Sequence, residues 1–236
     1  MVAWADTLRR VERWILPPEC LACAGPVRAS EPLICDLCRS RWRPIDPPFC
    51  ARCGEPVRLG LACRVCAEWP PDFGPVRSAV QLDRGVRQLV HRFKYHGWWR
   101  LADVFAMRMT ALFDTTDADL VPIPLARSRR QQRGYNQAEV LARSLGGLTG
   151  LPVRPDRLQR VRETPTQTRL APEARRANLA EAFSGVPSQR NAILVDDVFT
   201  TGATLCSAAS ELLERGAPQV AAVTFARAEL PLQQRA

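Results

Sequence analysis

Lysine is nearly absent from this chain. Of 33 basic residues one is a lysine, Lys94, and the rest are arginine, which keeps its proton and offers no lysine-type chemistry. Histidine is equally scarce: His91 and His96 are the only two, and a surface or capping role suits them better than a general base. No apolar stretch approaches the roughly 20 uninterrupted residues that a membrane helix needs, so membrane insertion is not expected. Asp6, Arg9, Arg10, Glu12 and Arg13 break up the apolar core that an export signal would require. The expectation is a soluble, non-secreted, cytoplasmic protein. There is no G-x-G-x-x-G and no Walker lysine motif, which argues against dinucleotide binding and against nucleoside triphosphatase activity.

What is present is cysteine, proline and positive charge. The 236 residues carry a formal charge of +9, nine cysteines and 20 prolines, and 46% hydrophobic content excludes a disordered chain. Eight cysteines lie between Cys20 and Cys66; the ninth, Cys206, falls at a small packing position of a later helix. Without export, disulfides are not expected, and clustered cysteines point to metal. The pairs are Cys20-x2-Cys23, Cys35-x2-Cys38, Cys50-x2-Cys53 and Cys63-x2-Cys66. Two thiolates on one tight turn face one ion, and two such knuckles complete the tetrahedron of structural zinc. Iron–sulfur or redox dithiol chemistry is the lesser alternative. Sequential and cross-brace pairing both remain open. Gly25 and Gly54 sit where a knuckle turn favours positive φ. With no open ligand position the two zinc ions are structural, holding a segment too small to keep a core of its own. Trp42 and Trp69 read as its small core, with base stacking as the alternative.

The chain divides in two. Residues 1–70 hold an amphipathic helix (Trp4, Leu8, Val11, Ile15) stopped by Pro17-Pro18, then the cysteine module. Pro70-Pro71 and Gly74-Pro75 read as a linker. From residue 76 to 236 strands alternate with helices. Apolar runs at Leu120–Ile123, Ala192–Val195 and Val220–Phe225 are strands. Gly85–Tyr95, Leu101–Phe113, Asn136–Leu148 and Ala203–Arg215 are helices. This pattern predicts an α/β domain with a mostly parallel sheet.

The most informative segment is Ala192-Ile-Leu-Val-Asp-Asp-Val-Phe-Thr-Thr-Gly-Ala-Thr204. A buried strand ends in two carboxylates, Asp196 and Asp197. A loop of Thr200, Thr201, Gly202, Ala203 and Thr204 then opens a helix. Open α/β sheets bind ligands at the carboxyl ends of their strands. Backbone N–H groups, a permissive glycine and three hydroxyls at a helix start suit a phosphate. Carboxylates repel phosphate but accept hydrogen bonds from vicinal hydroxyls, so the pattern suggests a 5-phosphorylated ribose. An acidic pair that merely caps the turn is the plainer alternative, outweighed by the strand, pair and loop falling in register.

This segment resembles the phosphoribosyl-pyrophosphate (PRPP) motif of type I phosphoribosyltransferases. The wider chain resembles the ComF family, competence-associated proteins that join a zinc module to such a domain. The likeness includes Val121-Pro-Ile-Pro124, Arg129, Arg133-Gly-Tyr-Asn-Gln137, Arg162, Thr164, Gln167, Leu170, Arg175, Asn178 and Phe183, with Lys94-Tyr-His-Gly97 a weaker match. The resemblance implies a type I phosphoribosyltransferase-like sheet behind a double zinc ribbon. It implies that Asp196 and Asp197 hold the ribose and that Thr200–Thr204 hold the 5-phosphate. It also implies a pyrophosphate-binding loop after Pro124, where Arg127, Arg129, Arg130 and Arg133 lie, and a flexible loop over Arg160–Phe183 that closes on PRPP.

The expected function is therefore PRPP binding with Mg²⁺ and phosphoribosyl transfer to an unassigned acceptor, linked to DNA uptake in natural transformation. The alternative is a non-catalytic PRPP sensor that binds single-stranded DNA, with competence or recombination proteins as partners; a pure docking scaffold is a third reading. Two Zn(Cys)4 sites would each carry a charge of −2, turning residues 1–70 slightly negative and leaving the positive charge on the second half. That favours docking or stacking over electrostatic DNA clamping for the zinc module.

Overall fold

The structure, a computed structural model, describes residues 19–27, 33–57, 63–113, 117–162 and 182–229. The expected helix through Trp4, Leu8, Val11 and Ile15 lies outside them. So do Thr164, Gln167, Leu170, Arg175 and Asn178 of the expected flexible loop.

The second half is α/β. Strands β1 (Phe73–Gln81), β2 (Asp119–Pro122), β5 (Ala192–Phe199) and β6 (Val220–Arg227) form one parallel sheet in the order β1-β6-β5-β2. A short antiparallel pair, β3 (Leu158–Arg160) with β4 (Phe183–Gly185), brackets the expected flexible loop. The helices are α1 (Asp36–Ser40), α2 (Arg84–Tyr95), α3 (Leu101–Met109), α4 (Arg127–Arg133), α5 (Gln137–Thr149) and α6 (Ala203–Glu214). Asp83 caps α2 by accepting from the Val86 N–H at 2.9 Å, and Asn136 caps α5 by accepting from Ala138 at 3.1 Å. Helix α2 turns Val86, Leu89, Val90 and Phe93 inward, the stripe that its 3.6-residue period predicts.

Two expectations are corrected. Gly74-Pro75 is not a linker but lies inside β1, where the register shifts between Phe73 and Val76. Proline is tolerated there because β1 is an edge strand. Arg127–Arg133 is a helix rather than a loop, closed by Gly134 at φ 78°.

The sheet has a core on each face, and each half of the cysteine module closes one of them. Cys20, Ile34, Cys38 and Trp42 pack with Val80, Phe93, Phe105, Leu141, Val195 and Phe225. Cys53, Cys66 and Trp69 pack with Phe73, Leu194, Phe199, Leu205 and Leu212 on the other face. Trp42 meets Phe225 and Phe105 edge-on at 5.2 and 6.3 Å. Both tryptophans are buried in the shared cores, so neither is open to a base and the module has no core separate from the sheet. The module also covers the free edge of β1: the Val76 and Gln81 N–H groups donate to Arg52 O and Arg43 O, each at 2.8 Å. An edge strand left bare would invite pairing with another chain.

The module repeats its own geometry. The Cys20 N–H donates to Gly25 O at 2.7 Å and the Cys50 N–H to Glu55 O at 2.8 Å. Isolated bridges pair Glu19 with Pro26 and Phe49 with Pro56. A residue with positive φ follows the second cysteine of the first knuckle in each cluster: Ala24 at 57° and Gly54 at 70°. Gly25 therefore does not hold the position assigned to it from sequence. A Cβ on Gly54 would come within 2.8 Å of Val76 O on β1. Gly54→Ala is expected to cost about 2–3 kcal/mol through left-handed strain and this clash. Ala24→Gly relieves the same strain and is expected to leave stability unchanged or raise it by up to about 1 kcal/mol. Denaturant unfolding of both variants checks the asymmetry.

Candidate ligand site and metal centres

The eight clustered cysteines gather in chain order. Cys20, Cys23, Cys35 and Cys38 form one group, and Cys50, Cys53, Cys63 and Cys66 the other, with the ligand atoms of each within 4.8 Å of one another. The pairing is sequential, which closes the cross-brace alternative. Sulfur separations are 3.8 Å for Cys23–Cys35, 3.6 Å for Cys50–Cys66 and 3.4 Å for Cys53–Cys63. A tetrahedral site with Zn–S of about 2.3 Å places its sulfurs about 3.8 Å apart, so both groups fit structural zinc. Burial pushes the Cys20 thiol up, but the Cys35 and Ala22 N–H groups, each 3.4 Å from its sulfur, outweigh that and bring it down to about 6. Cys50 comes down to about 7 for the same reason. A metal ligand must be a thiolate, and these backbone donors favour it at Cys20 and Cys50. Burial and then the neighbouring cysteines push the Cys66 thiol up to about 11 and also raise Cys38, and burial above all raises Cys53.

At the carboxyl end of β5, successive side chains point to opposite faces. Asp197 shares its side with Ile193 and Val195, under α2. Lys94 of α2 reaches it there, Nζ to Oδ2 at 2.8 Å. In this structure the lone lysine is the counter-ion of the acidic pair. Asp196 receives the Asp197 N–H on Oδ1 at 2.8 Å. Desolvation, then the Asp197 charge, push Asp196 up to about 7, against the opposing pull of Lys94. Burial depresses Lys94, but the two carboxylates more than compensate and its pKa is raised.

The loop beyond β5 has the expected form. Thr200 and Thr201 are exposed, and Gly202 is buried at φ 77° as the N-cap of α6. Gly202 has no side chain with which to cap this helix, so its first N–H groups face the loop. The Ala203 N–H points at Thr201 Oγ1 from 3.5 Å, and Thr204 lies in the first turn. Thr200–Thr204 is therefore a short bay of backbone donors and hydroxyls beside two carboxylates.

Of the four arginines after Pro124, Arg133 is the one that reaches α2. It donates from Nη2 to Tyr95 Oη at 3.0 Å and stacks on that ring at 4.7 Å. Its buried Nε and Nη1 have no hydrogen-bond partner among the described residues, and neither has Oε1 of buried Gln137. Its charge is felt at both Lys94 and Tyr135. Among the described residues, no hydrogen bond or ion pair joins Arg127, Arg129, Arg130 or Arg133 to the carboxylates, whose ion-pair partner is Lys94. His91 and His96 are exposed and stack on each other at 5.2 Å, and His96 ends α2, in keeping with the surface and capping role. Sequence reasoning did not assign Tyr95, Tyr135 or the Lys94–Asp197 pair. The available signals were that Lys94 is the sole lysine in an arginine chain and that these residues lie in the matched segments Lys94-Tyr-His-Gly97 and Arg133-Gly-Tyr-Asn-Gln137.

Residues 11–67 match the double zinc ribbon domain. The chain is 32% identical over 206 residues to competence protein ComFC of Bacillus subtilis, covering 82% of this chain and 84% of that protein. It is 30% identical over 216 residues to the DNA utilization protein YhgH of Salmonella typhimurium, covering 87% and 95%. It is 38% identical over 114 residues to competence protein F of Haemophilus influenzae, covering 46% and 50%. Among the described residues, no helix is long and apolar enough to cross a membrane.

A carboxylate whose folded pKa is raised penalises the folded state once it ionises. The penalty is absent at acid pH and grows as pH rises from the ordinary carboxylate range through about 7. Asp196→Asn removes the charge and keeps the shape. It is expected to raise the melting temperature of the ligand-free protein at pH 8 by about 2–4 °C, or roughly 1 kcal/mol, and to change it little at pH 4. Calorimetric melts at the two pH values check this.

Proposed function

Because the chain belongs to the ComF family, we propose that it binds PRPP with Mg²⁺ and transfers the phosphoribosyl group in the service of DNA uptake. The observation that carries this reading is the acidic pair of β5 followed in the same chain segment by the Thr200–Thr204 bay, together with buried donors of Arg133 that have no partner among the described residues and whose charge is felt at Lys94. The names of the relatives, competence protein and DNA utilization protein, support the link to DNA uptake.

In this reading the 5-phosphate rests on the N–H groups and hydroxyls of Thr200–Thr204. Asp196 and Asp197 accept hydrogen bonds from the 2- and 3-hydroxyls of the ribose, with Lys94 yielding its contact as they arrive. Arg133 donates Nε and Nη1 to the pyrophosphate, and Arg127 and Arg129 of α4 approach it from solvent. Departure of pyrophosphate leaves positive charge on the sugar ring and negative charge on the leaving group. The carboxylates ease the first and Arg133 the second. Magnesium, when bound, adds charge neutralisation at the pyrophosphate. The pair offers two carboxylates rather than a complete cage, which suits an ion held largely by substrate oxygens.

Asp196 must be ionised to accept two hydroxyls, so affinity is expected to rise as pH increases through about 7. Titration calorimetry should show Mg²⁺-dependent PRPP binding that weakens at least 100-fold in Asp196→Asn/Asp197→Asn. Undiminished binding in the double variant removes the site assignment. Pyrophosphate release from PRPP with candidate acceptors distinguishes a transferase from a sensor.

One feature favours single-stranded DNA as a second ligand. Tyr95, Trp98 and Trp99 are 50%, 39% and 53% exposed, and Arg100 lies over the Trp99 ring at 5.6 Å. Aromatic faces interleaved with arginine form a stacking platform for unpaired bases. Trp98→Ala/Trp99→Ala is expected to weaken binding of a single-stranded oligonucleotide by tenfold or more with the salt dependence kept. Equal affinity in the variant and the parent protein excludes this surface.

A further inference from the structure

The two cysteine clusters are not equivalent in what they touch. The first packs through Trp42 against Phe105 and Phe225, on the face away from the Thr200–Thr204 bay. The second reaches that bay by two routes.

One route runs through Trp69. Its N–H donates to Cys66 O at 3.2 Å. Arg52, between Cys50 and Cys53, donates to Cys66 O at 3.1 Å, Trp69 O at 3.0 Å and Phe73 O at 3.1 Å, and also to Pro70 O. One guanidinium therefore ties both knuckles of this cluster to the turn that carries the indole. The indole lies 4.7 Å from the Phe73 ring and 6.4 Å from the Phe199 ring. It also presses on the loop itself: a Cβ added to Gly202 would stand 2.7 Å from Trp69 Cζ2 and 3.0 Å from Phe199 Cζ. No side chain larger than hydrogen fits between the loop and this floor.

The other route runs through Arg227. This guanidinium is 3% exposed, lies over the Phe199 ring at 3.8 Å, and donates to Glu55 Oε2 at 3.1 and 3.0 Å and to Cys53 O at 2.9 Å. Phe199, the last residue of β5 before the loop, is thus held between the two anchors of the second cluster.

We infer that metal at Cys50, Cys53, Cys63 and Cys66 sets the conformation of the Thr200–Thr204 loop, with Trp69 and Arg227 as positioning residues. Loss of that ion frees the turn that carries Trp69 and lets the floor of the loop move. Loss of the ion at Cys20, Cys23, Cys35 and Cys38 leaves the floor in place. The consequence for ligand affinity rests on the reading of this loop as a phosphate cradle; the positioning itself does not.

The test uses the full chain. Zinc content, amide hydrogen exchange over residues 200–206 and PRPP calorimetry are measured for Trp69→Leu, Trp69→Phe and Trp42→Leu, and for Cys63→Ser beside Cys23→Ser. Trp69→Leu is expected to keep both zinc ions, to speed exchange over 200–206 tenfold or more, and to weaken PRPP binding tenfold or more. Trp69→Phe should restore most of both. Trp42→Leu should lower the melting temperature and leave loop exchange alone. Cys63→Ser should lose one ion together with loop protection, and Cys23→Ser should lose one ion without it. If exchange over 200–206 responds alike in the Trp69→Leu and Trp42→Leu pair, or alike in the two serine variants, the inference is overturned. If the parent protein binds no PRPP, the proposed function fails, and the exchange measurements still decide the positioning claim.

Discussion

The buried guanidinium of Arg227 is the joint on which the structure turns. It closes β6, faces Phe199 of β5, and spends its donors on Glu55 and the Cys53 carbonyl of the second knuckle. A charge taken this far from water is tolerable only with a matched partner and satisfied hydrogen bonds. Removing Glu55 alone would leave it uncompensated, a loss of about 3–5 kcal/mol by analogy with other buried pairs. Directional bonds of this kind also fix position more sharply than apolar contact does. The knuckle, the edge of the sheet and the strand that ends at the Thr200–Thr204 loop are therefore held in one register.

This joint explains how an ordinary parallel sheet can carry an appendage rich in cysteine. Four strands leave a bare edge at β1 and two incompletely covered faces. The cysteine module supplies carbonyls to that edge and a tryptophan to each face. Metal holds the knuckles, and the knuckles complete the sheet. The module is structural, and what it structures includes the domain that carries the acidic pair and the Thr200–Thr204 loop.

The site itself is built against stability. Two carboxylates side by side at the end of a buried strand repel each other, and in this structure Lys94 is their compensation. In the proposed function, ribose hydroxyls would relieve the same repulsion with hydrogen bonds, and ligand and lysine would compete for one acceptor. A conflict of this kind is common where function, rather than folding, has selected the residues.

Sequence patterns showed the knuckles, the acidic pair, the Thr-Thr-Gly-Ala-Thr loop and three of the four strands of the main sheet. Each of these is a local arrangement: C-x2-C spacing and a strand–loop–helix turn are fixed by a few consecutive φ and ψ angles and by short-range periodicity. Strand β1 was hidden by Gly74-Pro75, whose turn chemistry is overridden once β6 and the cysteine module flank it. Helix α4 was hidden by a run of arginines with no apolar stripe, and Ala24 by the neighbouring Gly25, the more obvious candidate for positive φ. The sequence by itself determined the cysteine knuckles and the acidic strand–loop–helix motif, because both follow from side chains close together along the chain. Only the tertiary structure decided which sulfurs share an ion, that Lys94 meets Asp197, and that Trp69 lies beneath Gly202. Those meetings join residues distant in sequence, and long-range packing, not local propensity, brings them together.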